Sequence, residues 1–445
     1  MSTVPTAPKL RVLQTSPALL QQRERRAQRL LLAFVISGLF FMLLPGTFLG
    51  VWNLIAISGH KGAAVSAAWI QAHGHAQIFG WIGSFILGIG FYSIPKMIGS
   101  RISHPKRGWV ALSMWSAGVL LRWLAGVYAW QWRLLLPASA ALEIGAFFIF
   151  FLAMRQHRPA TPKEDGDTRL PVWLLSVMVG TSGFMLGLLI NLGAALYVSF
   201  YGVQPVFPAA LEWRLLALLV YMFIVPTVWG FSARWLPVFL GLRAPSELRL
   251  RGSLVLMAIG AAFALAGFPH LAPWLFAAGA IVSFFALNIF AKPERPAKTV
   301  GIHPSFPLFV RTAYAWLGIA GLLGICAAYL DRMNGWTGAG RHALTVGFIA
   351  TMVFAIGQRV LPAFAGMRVL YSPRLMLGSL ALLTGGCALR VGSEVLAYEG
   401  YWPPAWHVLP VSAICELAAV TVFAANLLLT FKQPPAHEMN RPSAA

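Results

Sequence analysis

Two histidines stand 267 residues apart at the head of the same local pattern. His75-Ala76-Gln77-Ile78-Phe79-Gly80 runs on to Ile89-Gly90 and Pro95; His342-Ala343-Leu344-Thr345-Val346-Gly347 runs on to Ile356-Gly357 and Pro362. Each histidine precedes its proline by 20 residues. Both lie in apolar stretches long enough to cross a bilayer, where an ionisable side chain is costly and marks a functional contact. Neutral imidazole is a good ligand for haem iron or copper. One histidine from each of two facing helices can hold haem b as a bis-imidazole site. His75 and His342 are therefore the candidate axial pair. His73 stands about 200° around the helix from His75, so the two rings face opposite sides and suit two neighbouring sites. His73 with His60 or His407 is a candidate copper site.

Intramembrane charges repeat as well. Arg122 is followed by Leu136-Pro137-Ala138-Ser139-Ala140-Ala141-Leu142-Glu143. Arg390 is followed by Leu409-Pro410-Val411-Ser412-Ala413-Ile414-Cys415-Glu416. Each arginine shares an antiparallel helix pair with its glutamate, at matching depth. Two readings stand: Arg122–Glu143 and Arg390–Glu416 are buried ion pairs that fix helix register, or Arg122 and Arg390 hold haem propionates.

The elements that must position these residues are membrane helices. The chain has 445 residues, 58% hydrophobic and 11% charged, with mean hydropathy +0.71. This pattern implies an all-α polytopic membrane protein and excludes a soluble domain or a β-barrel. We place twelve spans, with the histidines at the starts of the second and tenth. They group as three four-helix pseudo-repeats over 30–154, 172–291 and 308–431, between basic or polar tails at 1–29 and 432–445. The middle copy is faint. Arg234-Trp235-Leu236-Pro237-Val238-Phe239 matches Arg359-Val360-Leu361-Pro362-Ala363-Phe364, but 20 residues before Pro237 stands Ala217.

The net charge is +21. On this topology all but Lys61, Arg133, Arg214, Arg332, Arg341 and the intramembrane Arg122 and Arg390 fall on one side, which the positive-inside rule makes cytoplasmic, with both termini. The partner of this charge is the lipid bilayer, not nucleic acid. No cleavable leader is expected. Cys326, Cys387 and Cys415 lie in apolar spans at spacings that fit no metal motif.

The strings Trp69-x-x-x-His73-x-His75 followed by Phe79-Gly80, His342 to Ile349, and Arg234 to Phe239 resemble segments of the NnrS family. That resemblance implies a haem- and copper-containing protein of the bacterial inner membrane, linked to nitric-oxide metabolism and nitrosative stress. More distantly, the chain is similar to subunit I of haem–copper oxidases and nitric-oxide reductases, whose twelve helices form three pseudo-repeats. Histidines of their second and tenth helices hold a low-spin haem, the helices that carry His75 and His342 here. Spans 6 and 7 lack the histidines of an oxidase binuclear centre, so oxygen reduction at such a centre is not expected. Gln77 stands near where the family often has an acidic residue. The resemblance implies haem-based nitric-oxide protection, sensing or electron transfer. Two alternatives remain at this point: a redox subunit working with a partner or quinol, and a transporter or assembly factor without haem.

Overall fold

The computed structural model describes residues 17–59, 65–98, 105–156 and 170–435. His60 lies outside them, so the His73–His60 pairing lies outside the described residues. Among the described residues twelve apolar helices follow in chain order: α1 (Ala18–Ser58), α2 (Ala67–Met97), α3 (Lys106–Tyr128), α4 (Trp132–Arg155), α5 (Val172–Tyr201), α6 (Ala209–Leu240), α7 (Glu247–Ala266), α8 (Ala272–Ala286), α9 (Phe306–Leu330), α10 (Gly335–Phe364), α11 (Pro373–Tyr398) and α12 (Ala405–Lys432). Eleven of them are long and apolar enough to cross a membrane, and α8 is shorter. The chain is a polytopic α-helical membrane protein.

Two boundaries differ from the sequence expectation. At 1.5 Å per residue α8 rises only about 22 Å, short of a hydrocarbon core of about 30 Å. The chain leaves the helix at Asn288, which has φ +55° and whose side-chain amide donates to the Ala244 carbonyl at 3.1 Å. The other difference is α1, which begins inside the segment read as a tail. Its first turns carry Glu24, which accepts hydrogen bonds from Tyr92 and Lys96 of α2, both at 2.6 Å.

Consecutive helices pack on one another, and α12 returns against α1. The inner helices are α2, α6 and α10, whose most apolar windows are 83%, 72% and 72% buried. Each widens from α to π geometry part-way along. The π segments are Ala76–Gly83 in α2, Leu219–Ile224 in α6 and Ala343–Ala350 in α10. In α2 and α10 the π turn starts on the residue after the repeat histidine, and such turns recur at functional sites. A fourth lies over Met42–Phe48 of α1, around Pro45.

Small residues set the helix spacing, as in other membrane bundles. A Cβ on Gly80 would lie 2.7 Å from Phe41 Cβ of α1, and one on Gly347 would lie 2.6 Å from Trp316 Cγ of α9. At the corresponding place in α6 the roles are exchanged. Met222 is the large residue there, and Gly183 of α5 gives it room.

Candidate functional site

Both repeat histidines lie in clusters of arginine and glutamate, built by the same local device. Gly118 stands four residues before Arg122, and a Cβ there would sit 2.8 Å from Glu143 Cγ. Gly386 stands four residues before Arg390, and a Cβ there would sit 3.0 Å from Glu416 Cγ. The glycine lets the glutamate stem of the next helix pass beside the arginine helix. Glu143 and Arg122 are both buried, as is Arg390.

The first cluster centres on Glu143. His75 Nε2 meets Glu143 Oε1 at 2.7 Å, and the imidazole stacks on Phe79 at 4.2 Å. Asn191 of α5 donates to Glu143 Oε2 at 3.4 Å. Arg122 makes no hydrogen bond to Glu143. It lies within electrostatic reach of Glu143 and Glu212. It donates a long bond to Gln71 Oε1, at 3.5 Å, and its guanidinium lies over the Phe207 ring. Gln71 in turn donates to the Phe207 carbonyl and to Glu212, both at 2.9 Å, and accepts from the Phe207 amide at 2.8 Å. Arg122 Nε is buried without a hydrogen-bond partner among the described residues.

The second cluster leaves donors free. His342 Nδ1 lies 2.9 Å from the Gly338 carbonyl and 3.0 Å from Glu394 Oε2. A carbonyl only accepts, so Nδ1 carries the proton. Its hydrogen-bond geometry favours Gly338, which leaves Glu394 Oε2 close by but without a hydrogen bond. Arg390 donates to Glu394 Oε1 at 3.2 Å, one helical turn along α11, rather than to Glu416. Glu416 stays within electrostatic reach of His342 and Arg390, with Oε1 buried and unpartnered. Arg390 Nη1 is also buried without a hydrogen-bond partner among the described residues.

The α2 residue that belongs to this second cluster is His73. It lies within electrostatic reach of His342 and Arg390. Its Nδ1 lies 2.8 Å from the Gly46 carbonyl of α1, so this ring too is protonated at Nδ1. Gly50 makes space for it: a Cβ there would stand 2.5 Å from the ring. The structure thus turns His73 toward the His342 cluster and His75 toward Glu143. His407 is exposed.

The start of α10 is fixed from α11. Glu399 accepts hydrogen bonds from the backbone amides of Arg332, Met333 and Gly335, at 3.0 to 3.3 Å. Slight burial pushes the Glu399 pKa up, but the amide donors of Arg332 and Gly335, with Asp331 and Met333, outweigh it and hold the carboxyl below its usual range. A carboxyl depressed in the folded state stabilises fully above its unfolded pKa of about 4.3. That contribution fades as pH falls through the folded pKa. Thermal melts in detergent from pH 7 to pH 3 are expected to show a shallower acid loss for Glu399→Gln than for the wild type. Parallel curves would refute the clamp.

Residues 31–434 match the NnrS protein family. The chain belongs to that family. No curated protein matches it. Among solved structures, this NnrS-family chain is similar to a haem–copper terminal oxidase dimer determined by cryo-electron microscopy. The TM-score is 0.68 at 14% identity, over 92% of this chain and 85% of that one. At that identity the likeness shows the fold, a haem–copper-oxidase-like helical bundle.

The donor set can be tested against what the fold family implies. No group of three or more His, Cys, Asp or Glu able to hold a metal ion occurs among the described residues. A bare copper ion takes several protein ligands, whereas a haem supplies four nitrogens itself and asks the protein for one or two. Two histidines anchored at Nδ1, with Nε2 unprotonated, beside a buried guanidinium with a spare donor, fit a haem better than bare copper. Ligating histidines commonly anchor their other nitrogen in this way. Sequence reasoning missed Gln71, Asn191, Glu212 and Glu394. Of these, Glu394 had a signal: it lies one helical turn from Arg390, where a buried arginine finds a carboxylate.

Proposed function

We propose that this NnrS-family chain is a haem-holding protein of the bacterial inner membrane, with both termini cytoplasmic, acting in nitric-oxide metabolism or the nitrosative-stress response. The observation that carries the reading is the matched state of His73 and His342. Each rests its Nδ1 on a glycine carbonyl, which leaves Nε2 as the unprotonated nitrogen of a neutral ring. His342 is the ligand from α10. His73 is its partner from α2, with His75 the competing choice read from sequence. Arg390, through its free Nη1, holds a propionate, and Arg122 plays the corresponding part if His75 is the ligand. A haem bound there supplies an iron that exchanges electrons or binds nitric oxide. The protein's own part is to fix both imidazoles by their Nδ1 protons, to place a cation beside the propionates, and to exclude water. The matched π turns of α2, α6 and α10 support a plan of three four-helix pseudo-repeats in which the middle unit lacks the repeat histidine, with Ala217 in its place.

A second reading is a redox subunit that draws electrons from a partner protein or quinol. The presence of the first His–Arg–Glu cluster, at His75, Arg122 and Glu143, beside the second favours it, because two sites in one bundle suit electron passage. An absorption spectrum with metal analysis tests the main reading. Purified protein is expected to show a Soret band, lost or converted to a high-spin form in His342→Ala and His73→Ala but kept in His75→Ala. Loss in His75→Ala with retention in His73→Ala would move the ligand to His75. Protein free of haem and metal would sink the proposal. Consumption of nitric oxide with a reductant would favour the redox subunit.

A further inference from the structure

An apolar cavity of about 90 Å³ lies where α2, α6 and α10 converge, starting at the cytoplasmic ends of the π segments under the topology above. Its walls come from corresponding places in the three helices. Ile82, Ile224 and Ile349 form one layer, and Ile86, Val228 and Val353 form the next. The offsets are those of the sequence repeats: 267 residues from α2 to α10 and 125 from α6 to α10. Packing errors do not repeat in register, so the space belongs to the architecture. It contains no histidine and is well below the roughly 300 Å³ at which cofactor pockets begin. It is therefore not the haem seat.

We propose that this cavity is a binding site for small uncharged gas molecules of about diatomic size. Water has little reason to stay. A buried water needs two to four polar partners, and an apolar cavity of about 150 Å³ in another protein stays dry and takes benzene or xenon. Here the Thr227 hydroxyl in the wall already donates to the Phe223 carbonyl at 2.6 Å. The volume is small beside a quinone head or a folded acyl chain, and it suits a diatomic or a xenon atom. An uncharged gas dissolves in the bilayer core and can enter sideways. A second void of about 20 Å³ shares the Ile86, Thr227 and Phe231 walls and continues toward Phe147 of α4 and Val177 of α5. Ile82 and Ile349 each stand seven residues after a repeat histidine, so the cavity ends about two helical turns from both clusters.

The site stands on its lining alone and does not depend on haem. Xenon is the probe, read by 129Xe NMR on the full chain in lipid nanodiscs. The wild type is expected to show a saturable xenon site. Val353→Phe fills the space and is expected to abolish it. Ile349→Ala enlarges the space and is expected to raise occupancy, which keeps the test decisive if the phenylalanine variant does not fold. His342→Ala is expected to leave xenon binding intact while removing any Soret band, so failure of the haem reading and failure of this one are distinguishable. Equal xenon binding in wild type, Val353→Phe and Ile349→Ala would overturn the proposal, as would a lipid chain found in the cavity.

Discussion

Glu143→Ala is expected to destabilise the protein by about 3–5 kcal/mol, the cost of removing one partner from a buried charge cluster. Glu143 is fully buried and central to the first cluster. It accepts from His75 at 2.7 Å and from Asn191 at 3.4 Å. It is also one of two carboxylates within electrostatic reach of Arg122. Removing it leaves Arg122 buried with a single long bond to Gln71 and an unpartnered Nε. A buried guanidinium left with Glu212 alone adds to the loss of the acceptor for His75 and Asn191. Glu143→Gln keeps the shape and an oxygen acceptor for His75 but removes the same charge from beside Arg122, so a smaller loss of about 1–3 kcal/mol is expected. Denaturation in mixed micelles would measure both. If Glu143→Gln cost nothing, Glu212 alone would be balancing Arg122, and the central role of Glu143 would be lost.

That cluster also marks how far the sequence could be read. The membrane class, the helix order and the pairing of α2 with α10 follow from hydropathy and one repeated string, because a bilayer leaves few ways to satisfy a backbone. The facing of His73 and His75 to opposite sides follows from helical rotation alone. Which ring faces the His342 cluster does not, because it depends on the rotation of α2 as a rigid body, and that is set by Gly50 and Gly80 against α1. The partner of Arg390 differs from the one at equal depth for a related reason. Equal depth places Arg390 near Glu416, but Glu394 lies one turn away on the same helix and reaches the guanidinium first. The middle unit was faint because small and large residues change sides. Gly80 and Gly347 sit on α2 and α10, whereas Met222 sits on α6 and its glycine on α5. A contact conserved in space by such an exchange leaves no repeated string.

The same exchange, made between the two histidine clusters, yields the sharpest test of the architecture. In the first cluster the residue four before the histidine is Gln71 and the residue four after the arginine is Gly126. In the second these places hold Gly338 and Glu394. Gln71 and Glu394 do one job from opposite helices: each accepts from Nη2 of its cluster's arginine, at 3.5 and 3.2 Å. The space allows one occupant, since a Cβ on Gly338 would lie 2.2 Å from Glu394 Oε1. Gly338→Gln alone is expected to cost about 1–3 kcal/mol by overpacking. Glu394→Gly alone is expected to cost about 3–5 kcal/mol by leaving Arg390 without its acceptor. Together they rebuild the first cluster's arrangement in the second, with Glu416 still at hand to balance Arg390. Gly338→Gln is therefore expected to destabilise the wild type yet stabilise Glu394→Gly, with a favourable coupling of up to about 3 kcal/mol in the double-mutant cycle. Additive losses would mean that the two glycines are not exchanged partners. Because the backbone carbonyl at 338 survives the exchange, His342 keeps its Nδ1 anchor, and the double variant is expected to keep whatever Soret band the wild type has.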